Sequence, residues 1–209
     1  MGRQRFVLSG LLGIFAILCW FFPLFHVRQL GGSDANTAAA KATSEESEAN
    51  DQPSRLEDYA TKATDLMQLW EAFETDAAKA KKQFGQQAGL GGSVYFCVRG
   101  SGTVESIEKD RVMLAVRDAK RRVCLELGIV VDSTVRDAVG VKASKFPNSQ
   151  EFNAFSSELN RQVEDAVLAP NRELIKVGTL VDFVGCGKVG GKSDLDPLCL
   201  IPIQLKVSQ

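Results

Sequence analysis

The stretch from Gly185 to Ser193 most resembles a site for chemistry, because it looks like a phosphate-binding loop. It ends in Gly191-Lys192-Ser193, as such loops do, but Cys186 stands where the pattern requires its first glycine. A phosphate loop also opens a helix whose N-terminus holds the anion. Here acidic residues and Pro197 lead into a predicted strand instead, so we expect a glycine-rich hairpin.

Other catalytic patterns fail on residue type or position. The only histidine is His26, so one chain cannot supply a Ser-His-Asp triad or a multi-histidine metal site. The cysteines lack the close-spaced pairs that nucleate a zinc site. Ser106 and Lys109 have the spacing of a Ser-Lys nucleophile pair but fall in a predicted surface turn. We therefore predict a non-enzymatic protein with no catalytic residue, metal or cofactor. The alternative is an enzyme that uses carboxylates on an envelope polymer.

Five polar residues are our candidates for contact with a ligand or a partner. They cluster where a short helical interlude meets the start of a longer helix, and they are Arg136, Asp137, Asn148, Gln150 and Asn153. Side chains of these types also cap helices and form hydrogen bonds in loops. A purely structural role is therefore the alternative interpretation.

Four cysteines lie in the C-terminal part of the chain, namely Cys97, Cys124, Cys186 and Cys199. An even number permits two disulfides, in three connectivities, if the compartment is oxidising. Four buried free thiols are the alternative. The alternation of the sequence puts Cys97 and Cys186 opposite the apolar face of neighbouring strands. This pair is our preferred bridge, worth about 2–4 kcal/mol.

The N-terminal segment predicts the cellular compartment in which the rest of the chain lies. Residues 6–25 carry no charge, and Arg3 and Arg5 precede them. About twenty helical residues span the hydrocarbon layer, so we predict a single-pass anchor in the cytoplasmic (inner) membrane, within residues 1–30. The positive-inside rule leaves the N-terminus in the cytoplasm and the remaining chain in the periplasm, or outside the cytoplasm. Bulky aromatic residues replace a cleavage site, and the neighbours of Cys19 match lipidation poorly.

Two segments separate this anchor from the folded domain. Residues 31–53 contain few large apolar side chains and predict a disordered linker. In residues 54–92 apolar side chains recur at spacings of three and four, which predicts an amphipathic helical region, with Thr75 and Asp76 able to cap a second helix. The apolar seam is Leu56, Tyr59, Ala63, Leu66, Trp70, Phe73, Ala77, Ala80 and Phe84. We expect it to dock on the adjacent domain rather than to form a coiled coil with a second chain.

Residues 93–209 predict the folded domain. Apolar residues alternate with period two in five runs, near residues 94–104, 112–116, 123–127, 181–183 and 199–207. Between the third and fourth runs lies a helical insertion. It comprises an interlude that closes at Gly140 and a longer helix that opens at Asn148 or Ser149 and stops at Pro170. This order predicts an α+β fold with a five-stranded OB-like β-barrel, the alternative being another α+β sheet with the same strand order.

Charge and aromatic content argue against nucleic acid as a partner. Beyond residue 30, 22 basic residues stand against 26 acidic ones, a net charge of −4 that disfavours binding of a phosphate backbone. Single-strand binders stack bases on strand aromatics beside a basic groove, and the predicted strands offer only Tyr95, Phe96 and Phe183. An OB-fold nucleic-acid binder is therefore the least favoured function.

Several stretches resemble a bacterial family of predicted periplasmic lipoproteins, domain of unknown function number twenty-two ninety-one. They include the Gly100–Val104 bend, Thr134–Ala138, Phe146–Asn153, Leu159-Asn160 and Val167–Pro170. None of them is a catalytic signature. The resemblance implies an envelope protein, and an accessory role in solute uptake beside sugar ABC importers. This chain departs from the family in its lipidation site, so the resemblance implies a helical anchor where other members use a lipid.

Together these observations predict a membrane-anchored extracytoplasmic protein of unknown biochemical activity. Its barrel-like domain is expected to bind a protein partner or a small solute without catalysis. The oligomeric state, the ligand and any modification of Cys19 do not follow from the sequence.

Overall fold

A computed structural model of the chain describes residues 52–88, 92–117 and 119–208. The predicted anchor at residues 6–25 and nearly all of the predicted linker at 31–53 lie outside this part. Within it, no helix combines the length and the apolar composition that a membrane crossing requires. The described residues belong to one compact unit that ends at Gln209.

The helices and strands alternate in the order of a mixed α+β fold. Three helices and two short strands come first, at α1 (Gln52–Thr61), β1 (Thr64–Asp65), α2 (Leu66–Thr75), α3 (Ala77–Phe84) and β2 (Gln86–Gln87). Three long strands and the insertion follow, at β3 (Val94–Glu108), β4 (Arg111–Val116), β5 (Arg122–Glu126), α4 (Thr134–Ala138), α5 (Ser149–Val163) and α6 (Ala169–Asn171). The last strands are β6 (Leu180–Val189) and β7 (Leu198–Ser208). The predicted α+β class is thus present.

The five long strands pair in a cycle. Strand β3 pairs with β4, β4 with β5, β5 with β7, and β7 with β6, which pairs back with β3. The β5–β7 pair is parallel, whereas the other four are antiparallel. Strand β3 pairs with β6 along residues 94–103 and with β4 along residues 102–108, and Gly100 and Gly102 lie near the point where one pairing gives way to the other. A Cβ at Gly100 would come within 2.9 Å of Phe183, and one at Gly102 within 2.9 Å of the Ala115 carbonyl oxygen. Both positions therefore require glycine.

The amphipathic seam packs against the core of the same chain and is divided among α1, α2 and α3. Leu66, Leu69, Trp70 and Phe73 of α2 are buried in the core. The chain breaks before α2 because the Asp65 carboxylate accepts hydrogen bonds from two N–H groups of its first turn. Arg99 of β3 donates to the carbonyl oxygens of Ala60, Thr61 and Ala63 at the end of α1. Asp76 caps α3, as the sequence predicts.

The helical insertion differs from the prediction at its C-terminal end. Helix α5 begins after Asn148, as expected, but the chain continues through a π-helical turn at Glu164–Leu168 into α6, so Pro170 does not stop it. Proline fits there because it lies in the first turn of a restarted helix, where backbone N–H groups have no partner within the helix. The short helix α4 ends at Ala138, and Gly140, two residues later, has a φ of 75° that suits glycine.

Candidate functional site

The cavity of most interest has a volume of about 450 Å³ and lies beside α4. Strand β2, the segment after α4 and the first turn of α5 form its walls. Its lining residues are Gln86, Gln87, Ala88, Arg136, Asp137, Gly140, Val141, Lys142, Ala143 and Phe152. We call it the Arg136 cavity. Two of the five predicted polar residues, Arg136 and Asp137, are among those that line it.

Arg136 and Asp137 form a nearly buried ion pair in the wall of this cavity. Their side chains are 12% and 8% exposed. The Asp137 Oδ1 atom accepts hydrogen bonds from Arg136 Nε at 3.0 Å and Nη2 at 2.9 Å. Ser133 Oγ donates to Asp137 Oδ2 at 2.7 Å. The carboxylate is therefore fully engaged, and the cation is neutralised where it lines the cavity.

Aromatic side chains hold the guanidinium from its other side. The Arg136 Cζ atom lies 4.0 Å from the centroid of the Phe152 ring, within range of a cation–π interaction. Phe146 in turn packs against Phe152 and Phe155, with 5.3 Å between ring centroids in each case. These contacts fix the position of the guanidinium before any ligand arrives.

The other three predicted polar residues do not line the cavity. Asn148 caps α5, since its Oδ1 accepts a hydrogen bond from the Glu151 N–H and its Nδ2 donates to Glu151 Oε1, both at 2.9 Å. Gln150 and Asn153 are exposed in the first two turns of that helix. For Asn148 the structural interpretation is therefore the one that the geometry supports.

Sequence reasoning missed the cavity's remaining polar groups. Gln86 and Gln87 form the two-residue strand β2, which pairs with Tyr95 and Val94 of β3, and Lys142 follows α4. Two adjacent glutamines give no periodic signal, and only the sheet pairing brings them opposite α4. The sequence indicates Gly140 only as a helix end. In the structure, the Gln86 side chain lies about 3.3 Å from where a Cβ of residue 140 would be.

The glycine-rich stretch that resembles a phosphate loop is occupied by the chain's own carboxylate. The backbone N–H groups of Gly190 and Gly191 donate to Asp194 Oδ2 at 2.8 and 3.0 Å. These two bonds hold the pKa of the Asp194 carboxyl below its ordinary value, and the bond from Gly191 has the larger effect. The first part of the stretch is the end of β6, and the rest begins the connection to the antiparallel strand β7, as the predicted hairpin requires.

A second cavity of about 280 Å³ contains the carboxylates that an enzyme would need. Asp110, Glu126 and Asp132 line it. Glu126 accepts a hydrogen bond from Arg111 at 3.3 Å, and Asp132 accepts from the Thr134 N–H and hydroxyl at 2.9 Å each. Across the described ranges, no group of three or more His, Cys, Asp or Glu side chains is arranged to hold a metal ion. Glu126 and Asp132 thus accept hydrogen bonds from Arg111 and Thr134 of the same chain, which is a structural role.

The cysteines divide into one bridged pair and one free pair. Cys97 of β3 and Cys186 of β6 are register partners joined by a disulfide. This is the pair that the alternation of the sequence favoured. Cys124 and Cys199 are free thiols.

Comparison with known proteins gives a family and a fold. The family described as "Predicted periplasmic lipoprotein (DUF2291)" matches residues 15–206. The crystal structure of an OB-fold protein from Thermotoga maritima is similar, with a TM-score of 0.61 and 20% sequence identity over 76% of this chain and 98% of that one. At that identity the likeness bears on the fold alone. No protein with a curated description matches the chain.

Proposed function

The chain belongs to the predicted periplasmic lipoprotein family DUF2291, and on that premise we propose that its folded part is a binding domain that works outside the cytoplasm without catalysis. The observation that carries the proposal is the Arg136 cavity. Its guanidinium is positioned by Asp137 and Phe152 rather than by solvent. A group held this firmly before binding loses little conformational freedom when a ligand arrives.

The lining of the cavity indicates the class of ligand. Gln86 and Gln87 offer amide donors and acceptors, Lys142 adds an exposed cation, and Phe152 adds an aromatic ring. Because Asp137 neutralises Arg136, the cavity carries about one net positive charge. We propose a small solute that is rich in hydrogen-bonding oxygens and is neutral or singly anionic. Such clefts use a few polar groups to orient a ligand against an apolar wall.

Calorimetric titration of the full-length protein with a panel of small polyols, sugars and carboxylates tests this proposal. We expect saturable binding of at least one class, and at least about tenfold weaker binding by the Lys142→Ala variant, which corresponds to about 1.4 kcal/mol. Lys145→Ala is the matched control, because Lys145 lies in the same segment and is exposed but does not line the cavity. It should bind like the unmodified protein.

Two results would count against the pocket as a solute site. One is that no solute in the panel binds saturably. The other is that Lys142→Ala and Lys145→Ala weaken binding equally, which would indicate a general effect of surface charge.

A second candidate function, docking of a protein partner, is favoured by one loop. Ile129 and Val131 are 81% and 88% exposed. The loop is nonetheless held in place, because Asn160 donates to the Val130 and Asp132 carbonyl oxygens and Glu164 accepts from the Val130 N–H. Two aliphatic side chains held outward on an anchored loop suit an apolar patch of a protein partner. From the family resemblance we propose a sugar ABC importer component as that partner.

Photo-crosslinking in native membranes tests the partner. A crosslinking residue at Val131 should capture an importer component, whereas the same residue at Lys192, in the β6–β7 connection, should not. Capture of no importer component from Val131 would remove this candidate.

Two finer features of the architecture are also proposals. We propose that the five long strands close as an OB-like barrel, which the cycle of strand pairings and the OB-fold neighbour support.

We further propose that residues 6–25 anchor the chain as a membrane helix, which their uncharged sequence supports. A reporter fused after Leu30 that proved cytoplasmic would contradict the anchor and its orientation.

A further inference from the structure

The two free cysteines lie side by side on neighbouring strands. Cys124 of β5 and Cys199 of β7 are register partners in the parallel pair. Register partners on either side of them, Val123 with Leu198 and Leu125 with Leu200, are buried in the core. Since side chains alternate along a strand, both cysteine side chains point to the opposite face of the sheet.

The separation of the two strands suits a disulfide. Neighbouring strands lie roughly 4.7–4.9 Å apart, and bridged cysteines usually have Cα atoms roughly 4.4–6.8 Å apart. Both side chains leave the sheet on the same face, so their sulfurs lie at matching positions on neighbouring strands. The chain already contains one bridge between register partners, at Cys97 and Cys186.

The two thiols differ in exposure and in acidity. Cys124 is 2% exposed, whereas Cys199 is partly exposed. The hydrogen bond from the Cys124 thiol lowers the pKa of Cys199 to about 7, although burial and the Glu126 and Asp194 carboxylates oppose this. The same hydrogen bond, together with burial, raises the pKa of Cys124. Cys199 is therefore both the more accessible and the more acidic of the two thiols.

We propose that Cys124 and Cys199 form a redox-active dithiol that exchanges with disulfides, with Cys199 as the attacking thiol and Cys124 as the resolving thiol. The co-reactant is a disulfide, either a small one such as oxidised glutathione or one on a protein surface. This site is independent of the Arg136 cavity, since neither cysteine lines that cavity.

The reaction balances in two exchanges. The Cys199 thiolate attacks one sulfur of the disulfide, forms a mixed disulfide and releases the other half as a thiolate. Cys124 then loses its proton to that thiolate and attacks the Cys199 sulfur, which expels the second half. Two protein thiols are thereby oxidised to one bridge, and one disulfide is reduced to two thiols. A thiol with a pKa near the ambient pH is well suited to the first attack.

Mass spectrometry of the full-length protein equilibrated in glutathione buffers tests the proposal. After acid quenching and alkylation, unreduced peptides should show Cys124 linked to Cys199 in oxidising buffer. Both should be alkylated in reducing buffer. The Cys97–Cys186 peptide pair serves as the internal control for oxidation, and its absence in oxidising buffer would overturn the bridge favoured by the sequence.

Two variants separate exchange chemistry from simple air oxidation. Cys124→Ser removes the resolving thiol, so glutathione should accumulate on Cys199. Cys199→Ser should leave Cys124 unmodified, because it is buried. The proposal is overturned if Cys124 and Cys199 stay free in every buffer while Cys97 and Cys186 are linked. It is equally overturned if Cys199 of the Cys124→Ser variant takes up no glutathione.

Discussion

The ion pair of Arg136 and Asp137 supports the fold and also lines the cavity that we propose as a binding site. Asp137 is buried and accepts three hydrogen bonds, two from Arg136 and one from Ser133. A buried carboxylate requires such partners, because transfer of an isolated charge from water is costly. Arg136 therefore stabilises α4 whether or not the cavity is filled. Its exposed neighbour Lys142 is a cleaner probe of binding, since no described side chain depends on it.

Replacement of Arg136 by alanine should lower the free energy of unfolding by about 3 kcal/mol, because it leaves the Asp137 carboxylate buried and without its cation. Arg136→Lys should cost less, since the ammonium keeps the charge but cannot reproduce the paired hydrogen bonds. Urea denaturation followed by circular dichroism measures both. Lys142→Ala should stay within about 0.5 kcal/mol of the unmodified protein. If Arg136→Ala were equally stable, the ion pair would not support α4.

Among the elements, α5 has the clearest structural role in shaping the region around the cavity. Its first turn supplies Phe152 to the Arg136 cavity. Farther along, Asn160 of α5 and Glu164, the residue directly after its end, hold the loop that exposes Ile129 and Val131. The helix thus connects both candidate binding surfaces, and the position where it starts determines where Phe152 lies.

The Asn148→Ala variant should be destabilised by about 1 kcal/mol, because the Glu151 N–H loses its capping acceptor. Gln150→Ala and Asn153→Ala are matched controls on the same exposed turns, and each should change stability by less than about 0.5 kcal/mol. Urea denaturation again supplies the values. Equal losses at all three positions would show that Asn148 has no special role at the start of α5.

At the scale of the whole molecule, the sequence indicated the order of elements better than their contacts. The alternation near Val112–Val116 and Arg122–Glu126 predicted β4 and β5 because side chains that face a buried core leave a period of two. The pairing of β6 with β3 leaves no periodic pattern in the sequence, because the two strands are far apart along the chain. Arg99 donates to carbonyl groups at the end of α1 that are 36 or more positions away, so no local pattern indicates these contacts.

The sequence likewise indicated only part of the candidate site. The sequence indicates Arg136 and Asp137 as candidates because they are charged residues at the edge of a helical interlude. Their aromatic support and the two glutamines opposite them come from separate segments, so no local pattern could join these groups. The Cys124–Cys199 pairing is one of the connectivities that four cysteines permit, but parallel neighbours such as β5 and β7 have no fixed spacing in sequence that would single it out.

The central claim is that the Arg136 cavity binds a small solute, and NMR titration of the labelled full-length protein tests it most directly. The side-chain amide signals of Gln86 and Gln87 and the Nε–H signal of Arg136 report from within the cavity. These signals should shift saturably with solute, whereas the backbone signals of residues 128–132, beside the second cavity, should not. Shifts confined to residues 128–132, or no saturable shift at Gln86, Gln87 and Arg136, would contradict the claim.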